Sequence, residues 1–149
     1  MPALPAPSLY ALFVGIALAA GPHIPRLPIW VVGLAGGLLA WRAWAAWRKE
    51  PLPRKGLVLL LALAALIAVF MHYRTLLGRD AGVALLVVFL ALKLLEMTTR
   101  RDVTVVTFLC YFLALTNFFY SQSIATAATT GATLVVLTAS LVGFNAPRR

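Results

Sequence analysis

Long apolar blocks alternate with short polar connections along this chain. The blocks predict six helices, at residues 8–24, 28–47, 56–73, 81–97, 103–120 and 124–144. A helix needs roughly 20 residues, with a usual range of about 17 to 25, to cross about 30 Å of hydrocarbon. The last five blocks have that length directly, and the first reaches it when residues 21–24 are counted. The pattern therefore predicts about six transmembrane helices.

The interior of the blocks favours helices over membrane strands. Residues 83–92 are apolar at every position, whereas strands of a membrane β-barrel alternate polar and apolar residues over about ten positions. The connections are short and contain prolines that break the chain, at Pro22, Pro25, Pro51 and Pro53. Consecutive helices are then mostly antiparallel neighbours. We predict an all-α fold, a polytopic membrane helical bundle with a single domain over residues 1–149.

Composition agrees with a membrane protein. Of the 149 residues, 62% are hydrophobic and only 11% are charged, and the mean hydropathy is +0.95. Such a chain has too little polar surface to cover a water-soluble globule. A cleaved signal peptide is disfavoured for the first block, because no Lys or Arg precedes it and Gly21-Pro22-His23 follows it.

The basic residues are distributed unevenly between the two sides of the predicted bundle. One side carries nine of them: Arg42, Arg48, Lys49, Arg54, Lys55, Arg100, Arg101, Arg148 and Arg149. The other side carries Arg26, Arg74 and Arg79. By the positive-inside rule, an even number of crossings places both ends of the chain in the cytoplasm. Basic loops beside an anionic leaflet explain the net charge of +9, so lipid and not nucleic acid is the expected partner.

Polar residues at the block edges predict where helices begin. The predicted N-cap residues are Ser8, Asp80, Asp102 and Ser123. Pro28 is placed for the first turn of the second helix. At the other end of that helix, Trp41, Trp44 and Trp47 are interleaved with Arg42 and Arg48. This pattern predicts an interfacial belt, with indoles and guanidinium groups at headgroup depth; the less favoured alternative is an aromatic platform for a ligand.

Small residues recur at helical spacing on two of the predicted helices. Gly33 and Gly37 form a Gly-x-x-x-Gly pair beside Gly36, and Ala128 with Ala132 forms a similar stripe on the last helix. Close approach of membrane helices uses such residues. We predict packing within the chain in preference to dimerisation.

Lys93 and Glu96 are two of the few charged residues within the predicted crossings. They are three positions apart on the fourth helix, so they share a face and can pair. The pair is interpreted as an anchor at the inner end of this helix, and the alternative is a proton or ion relay.

The outer side of the bundle has two polar groups. The outer end of the fifth helix and the turn after it contain Thr116, Asn117, Tyr120, Ser121, Gln122 and Ser123. These residues are predicted to cap helices, and the alternative is a polar vestibule. The third-to-fourth connection carries His72, Arg79 and Asp80. We interpret His72 as an interfacial anchor and His23 as isolated.

The residue types for catalysis do not form a set. Cys110 lies in the middle of the fifth block, where a small apolar side chain fits and a thiolate is disfavoured, so we interpret it as structural. The sequence has no His/Cys/carboxylate cluster at ligand spacing and no phosphate loop, so we predict no metal, no cofactor and no enzymatic turnover by this chain alone.

The ordered polar positions resemble a known family. The resemblance rests on 78–86 (Gly-Arg-Asp-Ala-Gly-Val-Ala-Leu-Leu), 90–96 with Lys93 and Glu96, 100–102 (Arg-Arg-Asp), 108–113, 115–116 and 119–123. These segments are similar to the N-terminal membrane region of bacterial transglutaminase-like proteins of the TgpA type. The similarity runs from about Pro22 onward and is most specific over 78–123.

The resemblance implies what this chain does. Members of that family look like inner-membrane proteins whose N-terminal helices precede a periplasmic transglutaminase-like domain with a Cys-His-Asp triad. Cys110 does not match the catalytic Cys of that domain, so the resemblance carries over no catalytic residue. The sequence stops at Arg149, and a seventh helix beyond it would deliver the enzyme domain to the periplasm. We therefore expect a fragment or a truncated member, and a membrane anchor for a C-terminal enzyme domain of the same protein.

A second hypothesis comes from a different class of protein. A small, self-contained transporter or channel subunit could use Lys93 and Glu96 as a relay beneath the polar segment from Asn117 to Ser123. In the anchor hypothesis, the positions expected to be characteristic of the family are Lys93, Glu96, Arg79 and Asp80.

Overall fold

Six α-helices make up most of the described chain. In a computed structural model, which describes residues 6–48, 50–51 and 53–146, they are α1 (Ala6–Ala20), α2 (Ile29–Arg48), α3 (Lys55–Tyr73), α4 (Arg79–Glu96), α5 (Arg100–Thr116) and α6 (Ile124–Asn145). Short 3-10 segments follow α1 and α5, at Gly21–Arg26 and Asn117–Phe119. No strand occurs in the described part, and the all-α prediction of about six helices is confirmed. Lys49, Arg148 and Arg149, which were assigned to the basic side, lie outside the described residues.

Five of the helices are long and apolar enough to cross a membrane. These spans are Ser8–Arg26, Ile29–Arg48, Lys55–Tyr73, Arg100–Phe119 and Ile124–Asn145. The first span combines α1 with the 3-10 segment that follows. Pro22 and Pro25 were expected to break the chain, but they lie inside this segment. Their fixed φ near −65° suits a 3-10 turn, so the prolines end the α-helix and the chain continues helically.

Helix α4 differs from the other five because charges stand at both of its ends. Arg79 and Asp80 begin it, and Lys93 and Glu96 lie in its last turn. Between them the helix is apolar, and it is the most buried of the six, with ten buried residues. A helix that is covered by neighbours needs less apolar surface than one that faces lipid.

The helices form two units. The first unit comprises the described parts of Met1–Ile24 and Thr98–Arg149, and in it α1, α5 and α6 pack against one another. The second unit is Pro25–Met97, in which α4 packs against both α2 and α3. Each unit therefore has a three-helix core of its own.

The closest packing in the first unit occurs where α1 meets α6. A Cβ at Gly15 would lie 2.5 Å from Leu137 Cδ2, and a Cβ at Gly143 would lie 2.5 Å from Ser8 Oγ. Ser140 Oγ donates a hydrogen bond of 2.8 Å to the carbonyl oxygen of Ser8. A side chain at either position would require Leu137 or Ser8 to shift, so the two glycines favour this close approach, and such van der Waals contact holds membrane helices together.

The small residues singled out in the sequence lie elsewhere. Ala128 and Ala132 are exposed, and α6 instead buries a largely polar stripe: Thr126, Thr130, Thr133, Leu137, Ser140 and Phe144. On α2, Gly33, Gly36 and Gly37 are exposed, and a Cβ at any of them meets no described atom within 4 Å. The prediction that these two stripes pack within the chain is wrong, because both lie outside the buried face of their helix.

The helix starts follow the predicted caps in part. Ser123 Oγ accepts from Thr126 N–H at 3.1 Å, which confirms it as an N-cap. Asp102 belongs to a cap, but as the third helical residue of a capping box in which Thr99 is the N-cap. Ser8 lies inside α1 and is not its N-cap. The N-cap position of α4 is occupied by Gly78, and Asp80, the predicted N-cap, lies in the first turn of the helix. Pro28 is just before α2, and its carbonyl accepts from Val31 N–H at 2.9 Å.

Replacing Gly15 with Val should destabilise the first unit. The added side chain collides with Leu137, and overpacking of this kind costs about 1–3 kcal/mol. The measurement is thermal unfolding in detergent, with Gly36→Val as the control, because that glycine meets no described neighbour. Equal melting temperatures for the two variants would contradict the close approach of α1 and α6.

Candidate functional site

Arg42 is a buried arginine in the second unit. Its Nε donates to the carbonyl of Leu94 at 3.2 Å and its Nη2 to the carbonyl of Met97 at 3.5 Å, and only 8% of the residue is exposed. The last carbonyls of a helix have no partner within the helix, and a cation suits the negative end of its dipole. Arg42 therefore completes the end of α4. The prediction that it reaches for lipid phosphate is wrong, because these carbonyls bind it inside the protein.

The spacing along α2 contains a signal for this burial. The buried residues of the helix are Val31, Ala35, Leu38, Arg42 and Ala45. They alternate steps of four and three, which marks one continuous helix face. The position of Arg42 on this otherwise apolar face therefore predicts that its side chain is buried.

Lys93 and Glu96 form the predicted pair. Lys93 Nζ lies 3.6 Å from Glu96 Oε2, and about 30% of each side chain is exposed. Since α4 ends at Glu96, the pair occupies the same last turn whose Leu94 carbonyl accepts from Arg42. A pair at this exposure can anchor the helix end while its polar groups reach water.

The tryptophans at the end of α2 are arranged as a belt. All three are exposed, and Trp47 is the most exposed at 83%. Arg48 lies over the ring of Trp44, with its guanidinium carbon 5.0 Å from the ring centroid. Aromatic and cationic side chains of this kind are typical of headgroup depth.

His23 organises a buried polar cluster in the first unit. Its Nε2 lies 3.0 Å from the carbonyl oxygen of Leu113, and a carbonyl only accepts, so Nε2 carries the proton. Thr116 Oγ1 donates to the same carbonyl at 2.7 Å, and the ring of Tyr120 stands edge-on to the imidazole at 5.8 Å. The prediction of an isolated histidine is wrong. The spacing in the sequence again indicates the burial of His23, because this residue continues the buried face formed by Leu12, Ile16 and Ala19.

The polar turn after α5 is engaged in helix ends. Asn117 is buried, and its carbonyl accepts from the N–H groups of Tyr120 and Ser121. Thr126 Oγ1 donates to Ser121 Oγ at 2.9 Å, beside the Ser123 cap. Gln122 is exposed. Asn117 and Gln122 belong to the first unit and the Lys93–Glu96 pair to the second, and a relay that uses both remains a prediction.

A groove of about 480 Å³ opens at one end of the second unit. It lies where α2 begins, α3 ends and α4 begins, and it is lined by Arg26, Leu27, Pro28, Ile29, Trp30, His72, Tyr73 and Asp80. His72 stands edge-on to Trp30 at 6.0 Å and to Tyr73 at 4.8 Å. Asp80 Oδ1 lies 3.4 Å from Arg79 Nε, and both side chains are about half exposed. The structure thus places Asp80 in a mixed polar and aromatic groove, with Arg79 beside it.

Cys110 is fully buried in α5, as expected for a structural residue. Among the described residues, no three His, Cys, Asp or Glu side chains are grouped as a metal site would require.

Long apolar helices with polar groups at their ends define a multi-pass membrane protein. Comparison with known sequences gives the family: residues 11–149 match the TgpA N-terminal domain, and the chain belongs to that family. A relative, the protein-glutamine gamma-glutamyltransferase of Pseudomonas aeruginosa, is 34% identical over 143 residues. The alignment covers 96% of this chain and 21% of the relative, so the chain spans about a fifth of that protein's length. No solved structure matches.

Replacing Arg42 with Leu should lower the free energy of unfolding by about 1–3 kcal/mol, because hydrogen bonds from a charged donor to two carbonyls are lost. Denaturation in detergent measures the effect. Arg48→Leu is the control on the same helix, because Arg48 is exposed. A smaller loss for Arg42→Leu than for Arg48→Leu would contradict the assignment of Arg42 to the end of α4.

Replacing Glu96 with Leu should lower the melting temperature, because Lys93 loses the carboxylate at 3.6 Å. The exposure of the pair limits the effect to about 1 kcal/mol. Glu96→Gln, which keeps the shape of the side chain, separates loss of charge from loss of packing. Unchanged melting of both variants would show that the pair does not stabilise α4.

Proposed function

We propose that this chain is the membrane-anchor domain of a transglutaminase-like envelope protein and that it positions a periplasmic transglutaminase-like domain that lies beyond it. The observation that carries the proposal is the alignment with the P. aeruginosa enzyme. It includes nearly all of this chain, yet it leaves about four fifths of the enzyme unmatched. Catalysis in such a protein is then assigned to the unmatched part.

The character of the helices supports an anchoring role. Helix α3 is apolar along its length and exposes large side chains, among them Leu60, Ile67 and Met71. Such a surface is stable in hydrocarbon and not in water. The described polar side chains at helix ends mainly serve the backbone, as Arg42, His23 and Ser123 do. These groups hold the bundle together, and we assign the same structural role to Lys93 and Glu96.

The exposed basic residues support the proposed orientation. Arg48, Arg54 and Lys55 flank the connection between α2 and α3, and Arg100 and Arg101 begin α5. All five are exposed, so they are available to an anionic cytoplasmic leaflet. The proposed location is the bacterial inner membrane with both ends of the chain in the cytoplasm. An additional crossing after residue 149 would then place a following domain in the periplasm.

Reporter fusions test this topology. Alkaline phosphatase, which needs periplasmic disulfides, should be active after Gly78 and Gln122 and inactive after Glu50, Thr99 and Arg149. A fluorescent cytoplasmic reporter should give the reverse pattern. Inserting one strongly apolar helix between Arg149 and the phosphatase should restore its activity, because the number of crossings becomes odd.

Two results would contradict the proposal. A reversed reporter pattern would refute the orientation. Solute or proton movement by the purified chain in liposomes, abolished by Lys93→Met and by Glu96→Gln but not by Arg54→Gln, would favour transport over anchoring.

A further inference from the structure

The connection between α2 and α3 has a basic patch, formed by the exposed residues Arg48, Arg54 and Lys55. We propose that this basic patch binds an anionic phospholipid through its phosphate, in preference to a zwitterionic one. The inference deepens the anchor proposal and rests on its membrane setting, since it names the class of lipid that one end of the anchor holds. It goes beyond the positive-inside rule, which concerns insertion and requires no bound lipid.

The cations of the basic patch differ in their partners from other basic side chains of the second unit. Arg42 donates to carbonyls at the end of α4, and Lys93 is paired with Glu96. Within the described part of the chain, no side chain of the basic patch forms a hydrogen bond or an ion pair. Its three charges are therefore available to a ligand from outside the protein.

Arg48 is positioned for such a ligand by an aromatic ring. Its guanidinium carbon lies 5.0 Å from the centroid of the Trp44 ring. A guanidinium over an indole keeps its N–H groups for acceptors beside the ring, and its planar fork matches two oxygens of a phosphate. Part of the side-chain entropy that binding costs is then already lost in the protein without ligand.

The tryptophans beside the basic patch select a ligand from the bilayer. Trp44 and Trp47 are 43% and 83% exposed, and they lie near the end of a helix that is long enough to cross a membrane. Indoles at headgroup depth contact the apolar part of a lipid below its phosphate. A free phosphate ion has no such part, so a phospholipid matches both the cations and the indoles.

The charge balance of the connection selects an anionic lipid over a zwitterionic one. Residues 48–55 contain four basic residues and one acidic residue, Glu50, which gives a net charge of +3. Phosphatidylglycerol has a phosphate and no cation, so it brings a full negative charge to this surface. The ammonium of phosphatidylethanolamine is instead repelled by the excess of like charge.

Lipid titrations of the purified full chain in detergent, followed by native mass spectrometry, test the proposal. Dioleoyl phosphatidylglycerol should bind more tightly than dioleoyl phosphatidylethanolamine. Arg48→Gln and Arg54→Gln should each weaken binding of the glycerol lipid about fivefold, because one basic residue near an anionic lipid is lost. Glu50→Gln should strengthen it, because a like charge near the phosphate is removed. Arg74→Gln, at an exposed arginine outside the basic patch, is the matched control and should bind both lipids as the unmodified chain does.

Three results would overturn the proposal. Equal binding of the two lipids by the unmodified chain would remove the preference for an anionic headgroup. A preference that persists in the triple variant R48Q/R54Q/K55Q would place the bound lipid elsewhere on the protein. Free glycerol phosphate should compete weakly, because it lacks acyl chains, and competition at the concentration of the lipid itself would overturn the bilayer as the source of the ligand.

A fluorescence measurement on an unaltered basic patch keeps the proposal falsifiable if its variants do not fold. The chain has four tryptophans, and Trp30→Phe leaves only Trp41, Trp44 and Trp47, all near the end of α2. In vesicles that contain both lipids, phosphatidylglycerol brominated near the headgroup should quench these tryptophans more than phosphatidylethanolamine brominated at the same position. Equal quenching would refute the preference. Binding in detergent does not depend on orientation in a membrane, so failure of the lipid site and failure of the anchor proposal, which the reporter fusions test, are distinguishable.

Discussion

Backbone groups in hydrocarbon must find their hydrogen-bond partners inside the protein, and much of this structure follows from that constraint. Helix interiors satisfy it automatically, and helix ends do not. At the end of α4 the partner is the Arg42 guanidinium, and near the end of α5 it is the His23 imidazole. Both side chains are buried. Each is a donor that the fold brings to carbonyls of another helix.

The same constraint explains how a polar stripe can line a membrane core. The buried face of α6 contains threonine and serine, and Thr133 Oγ1 donates to the Thr129 carbonyl of its own helix at 2.8 Å. Ser140 instead donates to the Ser8 carbonyl of α1. Hydroxyl groups bonded in these ways pack almost as apolar groups do, and their small size permits close approach. Thr130 Oγ1 departs from this pattern, as it is buried with no hydrogen-bond partner among the described atoms.

Helix α4 shows how a membrane bundle can contain charged residues with little loss of solvation free energy. Its ionisable residues lie in the first and last turns, where water and headgroups are within reach, and its apolar middle is covered by α2 and α3. Both candidate sites of the second unit are built on this helix. The Lys93–Glu96 pair and the Arg42 cap are at one end, and the groove with Asp80 is at the other. Its two ends therefore concentrate the polar chemistry of that unit.

Much of this protein could be predicted from its sequence. Apolar run lengths determine the number and class of the helices, and the Lys93–Glu96 spacing determines the pair, because both depend on local geometry alone. The ordered polar positions from Gly78 to Ser123 determine the family. Tertiary structure alone decided which face of each helix is buried. In the structure, Arg42 binds the end of α4 and not the lipid interface. The closely packed glycines are Gly15 and Gly143, not Gly33 and Gly37. Arg26, Trp30 and Asp80 line one groove although they are distant in sequence. In a chain that is apolar nearly all round, lipid and protein surfaces have the same composition, so only contacts between distant segments distinguish them.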